Sequence, residues 1–139
     1  MSFSDDIRAF QRKTNLSMDL IVRKVVIDMS VAITRMSPVD TGRFRANWML
    51  GIGSPNTATI EAVDKNDGFG AVGSVSVPRI TAAVGDVQAG GVVYITNSLP
   101  YARRLEYGWS KQAPSPPGIV RLTVQRYEAY IAAAVKSLK

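Results

Sequence analysis

Three parts of this chain hold residue types that could bind or transform a small molecule. Gly68-Phe-Gly70-Ala-Val-Gly73 has the glycine spacing of a dinucleotide-binding turn. That chemistry needs a strand before the first glycine, a helix after the last, and an acid about 20 residues on. Here Asp64-Lys-Asn-Asp67 precedes the motif and Ser74-Val-Ser-Val-Pro78 follows it, so a flexible loop is expected. Asp64-Lys-Asn66-Asp67-Gly68 offers oxygen ligands of the kind calcium takes, but an EF-hand needs glycine at position 6 and a bidentate glutamate at position 12. Glycine is at position 5 here and Val75 at position 12, so a solvated turn is expected. The carboxylate pairs Asp5/Asp6 and Asp64/Asp67 are local and expected to be exposed, with nothing to raise a pKa. Glu61, Glu106 and Glu128 are isolated in sequence.

The chain has no histidine and no cysteine. That removes the commonest general acid/base, any thiolate nucleophile or ligand, and any disulfide framework. Neither catalysis, a cofactor nor a metal is therefore expected. The net charge of +6 comes from positives scattered between Arg8 and Lys139, with no run of five like charges. The densest group is Arg103, Arg104, Tyr107, Trp109 and Lys111, beside the Pro114-Ser-Pro-Pro117 arm. It reads either as a solvated loop or as an interface, because Tyr, Trp and Arg dominate binding hot spots. A small basic nucleic-acid-binding protein is the alternative from another class, although the cluster lacks the density that phosphate tracking needs.

These residues must be positioned by a chain of 139 residues, enough for one domain, 1–139, with a real core. Ser4 before Asp5-Asp6 reads as a helix start. Met18, Val22, Val25, Met29, Ala32 and Met36 then step by 4, 3, 4, 3 and 4, one apolar helical stripe that Pro38 stops. Arg43–Gly53 and 57–63 read as two strands, with a hairpin across Gly53-Ser-Pro-Asn56. Residues 64–74 read as an exposed, flexible loop, and 78–84 as a short helix. Val92-Val-Tyr-Ile-Thr96 is the clearest strand, β-branched and aromatic throughout. Pro100 opens a short helix closed by Gly108. Val120, Val124, Tyr127, Ile131, Ala134 and Leu138 repeat the 4, 3, 4, 3, 4 spacing in a closing helix. The expected fold class is α+β: a central antiparallel sheet with long N-terminal and C-terminal amphipathic helices packed on it. No apolar run reaches membrane-spanning length, and the polar N-terminus lacks the pattern of a signal peptide.

Two segments carry a resemblance. Ser37-Pro38-Val-Asp40-Thr41-Gly42-Arg43-Phe44-Arg45-Ala-Asn-Trp48 is similar to a "PVDTG-x-hydrophobic-R-x-x-W" signature. Ile95-Thr-Asn97, Pro100-Tyr101-Ala102, Leu105-Glu106-Tyr107-Gly108 and Pro117-Gly-Ile-Val-Arg121 resemble a second signature, "ITN-x-x-PYA-x-x-LE-x-G … PG-hydrophobic-V-R". Together they resemble the minor tail or tail-completion (neck) components of long-tailed bacteriophages. Phe44 stands where leucine is common in that family. The resemblance implies a structural subunit of the virion, assembled in the host cytoplasm. It would form a ring, commonly hexameric, at the head-proximal end of the tail and join the tail to the head connector. A head-closure protein of the same neck is the alternative within that class. Implied partners are other copies, adjacent tail-terminator or tail-tube proteins and head-connector proteins. DNA would be touched only as the genome passes the channel. The resemblance further implies that Asp40-Thr41-Gly42 fixes the link from the first helix, that Trp48 anchors the sheet to the core, and that Tyr101 and Leu105 seat the short helix. Arg103, Arg104 and Glu106 would point outward and pair across a subunit boundary.

Overall fold

The computed structural model describes residues 4–6, 8, 17–37, 42–64, 73–100, 102–106 and 119–138. Ser4, Asp5, Asp6 and Arg8 are helical. Helix α1 spans Met18–Arg35, with Asp19 in its first turn and Arg35 in its last, each at the end where the helix dipole favours its charge. Its buried residues are Ile21, Val22, Val25, Val26, Ser30, Ile33 and Thr34. The stripe expected from spacing lies along the edge of that face, and of its six members only Val22 and Val25 are buried. The face is rotated because hydroxyl residues belong to it. Ser30, Thr34 and Ser37 donate to the carbonyls four residues back (Val26, Ser30 and Ile33) at 2.7, 2.7 and 2.9 Å. A hydroxyl satisfied by its own helix can enter a core without an unpaired donor.

Gly42 takes φ +88°, a left-handed conformation open mainly to glycine, and the chain turns directly into the short helix α2 (Arg43–Ala46). The strand expected from Arg43 onward is corrected here: the first four residues are helical, and strand β1 covers only Met49–Ile52. The expected hairpin across 53–56 is also corrected. β1 pairs antiparallel with β2 (Val93–Thr96), Met49 facing Thr96 and Ile52 facing Val93. Residues 57–63 belong to no strand. Asn56 turns the chain, its side chain donating to the Leu50 carbonyl at 3.4 Å and accepting from the Ala58 N–H at 3.1 Å. Asn47 then captures Ile60, accepting its N–H at 2.8 Å and donating to its carbonyl at 3.1 Å. A side-chain amide occupies the place a neighbouring strand would take.

Helix α3 (Ser76–Ala83) runs into a 3-10 turn at Val84–Asp86, close to the expected 78–84. The chain beyond it is tied back to α1. Arg23 Nε donates to the Val87 carbonyl at 2.9 Å, and the Ala89 N–H donates to Asp19 at 2.8 Å. β2 falls where the β-branched run predicts a strand. Helix α4 covers Ala102–Glu106, and the closing segment divides into α5 (Val120–Val124) and α6 (Tyr127–Leu138). The closing helix was expected to be unbroken. Its apolar stripe runs across a turn at residues 125–126, where the Arg126 N–H donates back to Thr123 O at 3.0 Å.

The architecture is mixed α+β, with one two-stranded antiparallel sheet among the described residues. α1 packs chiefly against α6, and secondarily against α3. Ile21, Val25 and Ile33 of α1 meet Ile131, Ala134 and Val135 of α6 in one core that also holds Phe44, Trp48, Ile80, Val87 and Ile119. Truncating a wholly buried member such as Ile21 to alanine costs about 2–5 kcal/mol.

Candidate functional site

The most densely connected polar centre is Asp64, which was expected to be exposed in a loop and is 1% accessible. It sits between the ends of several elements. Its N–H donates to Gly42 O at 3.0 Å. Its Oδ2 accepts the N–H groups of Ser74 and Val75 at 2.7 and 3.0 Å. Its carbonyl accepts from Arg45 Nη2 at 2.6 Å, and its Oδ1 lies 3.4 Å from the same nitrogen. Arg45 is itself wholly buried in α2. A Cβ on Gly42 would run into the Asp64 backbone, and one on Gly73 (φ +75°) would run into its carboxylate. Two glycines of the sequence therefore exist to let one aspartate in. Asp6 is also buried rather than exposed, and its Oδ2 accepts the Tyr127 hydroxyl at 2.9 Å. That hydrogen bond is the largest cause of a raised Tyr127 pKa; burial and the negative charges of Asp6 and Glu128 act in the same direction.

The first signature continues through Trp48. Its indole N–H donates to Ser37 Oγ at 2.8 Å, and its ring meets Phe44 edge-to-face at 5.4 Å. Its backbone N–H donates to Ser76 Oγ at 3.3 Å, and that hydroxyl donates to Arg45 O at 2.6 Å. Arg79 Nη2 donates to the carbonyls of Ala46 and Trp48 at 3.0 and 2.6 Å. Burial pulls the Arg79 guanidinium below its ordinary pKa, but arginine stays charged at any working pH. Trp48 is buried and ties α2, β1, α3 and the end of α1 together.

The second signature is joined to the first. Asn97 Nδ2 donates to Phe44 O at 2.9 Å, and Asn97 Oδ1 accepts the Leu99 N–H at 3.3 Å. Glu106 does not point outward. Its Oε2 accepts the N–H groups of Ile119 and Val120 at 2.7 and 3.0 Å, at the start of α5. A carboxylate there satisfies donors that a helix start leaves open. Phe44, Trp48, Asn97, Arg103 and Glu106 line one cleft of about 390 Å³ between the two segments. Arg103 is exposed and Leu105 is half-buried against the core. Gly42 is buried, Arg43 reaches Glu61 at 3.1 Å, and Pro100 is exposed. Arg104 lies in α4 and Arg121 in α5. Pro38, Asp40, Thr41, Tyr101, Tyr107, Gly108, Trp109, Lys111 and the 114–117 arm lie outside the described residues, as do 65–72 of the expected loop.

The signatures thus form one hydrogen-bonded scaffold, whose carboxylates accept from backbone N–H groups and a guanidinium. Sequence reasoning missed Asp64, Asn47, Ser76 and Arg79. The available signal was Gly42 and Gly73, two glycines whose positive φ and close approach require a partner nearby. An apolar groove of about 400 Å³ lies elsewhere, where Met18, Val22 and Met29 of α1 face Val93 and Ile95 of β2 and Val124 of α5. Parts of both predicted stripes meet there. Among the described residues no cluster of three metal-ligating side chains occurs, and no helix is long and apolar enough to cross a membrane. Comparison with family models, with curated proteins and with solved structures finds no match to this chain.

Proposed function

We propose that this chain is a non-enzymatic structural subunit of a long-tailed bacteriophage virion. It forms a ring at the head-proximal end of the tail and joins the tail to the head connector. The reading starts from the two signature segments. One observation carries it further: those segments, some 50 residues apart in sequence, are joined by a signature side chain of one that donates to a backbone carbonyl of the other. Asn97 reaches Phe44 O, and Trp48 and Glu106 line the same cleft. Residues that recur together in a motif for an assembly scaffold need to support one another in this way. The exposed Arg103 beside that cleft is available to meet a neighbouring subunit, where charge sets register and partner choice more than affinity. In the assembled particle the terminal amphipathic helices cover one face of an antiparallel sheet larger than the two strands of a single subunit.

The test is genetic and structural. Particles assembled without this chain should accumulate as separate heads and tails in electron micrographs, and supplying the chain should restore joined virions. Fully joined, infectious particles in its absence would overturn the reading, as would turnover of a small molecule by the purified protein.

A further inference from the structure

Residues 57–63 (Thr-Ala-Thr-Ile-Glu-Ala-Val) have the composition of a strand, yet pair with none among the described residues. Six of the seven are exposed, Val63 at 60%. The backbone is held on one side only. Ala58 N–H is bound by Asn56, both groups of Ile60 by Asn47, and Asp64 N–H by Gly42. Those are even-numbered positions, of which Ala62 alone lacks a partner among the described residues, and bonding at alternate residues is that of an extended strand. In a strand of that period the odd positions Thr57, Thr59, Glu61 and Val63 direct their backbone N–H and C=O groups the other way. None of those groups has a hydrogen-bond partner among the described residues. The segment is a prepared strand edge with one side open.

We infer that this edge pairs antiparallel with the same segment of a second copy of this chain, about a two-fold axis at Ile60. Two considerations select a second copy. First, the edge is electrically suited to itself. The chain carries +6 overall, which disfavours self-contact at most surfaces, but Glu61 is the only charge in this strip and Arg43 neutralises it at 3.1 Å. Second, one register satisfies every outward group. With Ile60 facing Ile60, Thr59 faces Glu61 and Thr57 faces Val63 as hydrogen-bonded pairs. A shift of one step in one direction sets Glu61 against Glu61, which is unfavourable. A shift in the other direction sets Val63 against Pro55, which has no N–H to donate.

This contact closes on itself, whereas ring contacts run head to tail. It is therefore additional to any ring interface and does not depend on the virion reading. A single strand pair covers less than the roughly 1,000 Å² of a stable interface, so the dimer should be concentration-dependent.

Two variants test it in the full chain. Thr59→Pro removes an N–H that no described group of the subunit uses. It deletes two intersubunit bonds per dimer, so at about fivefold per bond the association constant should fall about 25-fold in light scattering. The melting temperature of the dilute subunit should stay unchanged. Because the chain has no cysteine, Ala58→Cys with Ala62→Cys introduces the only thiols. Residues 58 and 62 face each other across the dyad as a non-hydrogen-bonded pair, within disulfide reach. Oxidation should give covalent dimer from the double variant and little from either single one. A wild-type chain that stays monomeric at all concentrations and a double variant that does not crosslink would together overturn the inference. Amide protection at 59 and 61 that appears only when a different protein is added would overturn it in favour of that partner.

Discussion

Replacing Asp64 by asparagine isolates the centre on which α2, the 42 turn and the start of α3 converge. The side chain keeps its shape but loses its charge, leaving the Arg45 guanidinium buried without its anion. Removing one partner of a buried pair costs about 3–5 kcal/mol, because the survivor stays desolvated. Two distances argue for the lower end of that range. The shorter bond of Arg45 goes to the Asp64 carbonyl at 2.6 Å and survives the substitution, whereas its contact with Oδ1 is 3.4 Å. The amide must also turn its oxygen to Ser74 and Val75, which aims its nitrogen at Arg45, donor against donor. We expect a loss of about 3 kcal/mol, a large share of the roughly 5–15 kcal/mol available to a domain of this kind. Urea unfolding followed by tryptophan fluorescence and circular dichroism measures it. Arg45→Met should cost a similar amount, and the two together less than their sum. A loss below about 1 kcal/mol for Asp64→Asn, with additive costs in the double variant, would refute the view that this pair organises the fold.

Gly42→Ala places a Cβ at φ +88° and against the Asp64 backbone. The left-handed penalty alone is about 1–2 kcal/mol, so the denaturation midpoint should fall by more than that penalty implies. Glu106→Ala removes the acceptor for two N–H groups at the start of α5 and should cost about 0.5–2 kcal/mol, with faster hydrogen exchange at Ile119 and Val120. Tyr127 links pH to stability. Its pKa is raised in the folded chain, so its contribution is complete below the ordinary tyrosine value of about 10 and is lost as pH rises through the higher folded value. Alkaline unfolding curves of Tyr127→Phe should lack that component; identical curves for the two proteins would refute the assignment.

Strand β2, the short helix after Pro100 and the helix ending before Pro38 were legible because each has a local signal: β-branching, a proline start, a proline stop. What escaped reading depends on partners distant in sequence. Asp64 lies among polar and glycine residues that look like any loop, and its cation is 19 positions back. The buried face of α1 was misjudged by part of a turn because Ser30 and Thr34 count as polar, while each hides its hydroxyl in its own helix. Residues 43–46 show how little periodicity says over four positions, where alternation and a single helical turn are indistinguishable. The 57–63 segment has strand composition, and composition alone does not say whether a partner lies in the same chain. The division between α5 and α6 escaped because apolar spacing registers the side of the rod and not the continuity of its backbone. Glu106 was placed at a subunit boundary by the resemblance, yet a helix start within the same subunit needed it.

The convergence on Asp64 has a practical consequence. Its carboxylate grips Ser74 and Val75, so the residues on either side of 65–72 are held at nearly one point. Lengthening a segment whose two ends are held together is inexpensive, about 0.6 kcal/mol for each doubling. An epitope or a small fluorescent module spliced between positions 66 and 71 should therefore add little closure cost, giving a beacon by which the location of this chain in any larger particle can be read directly.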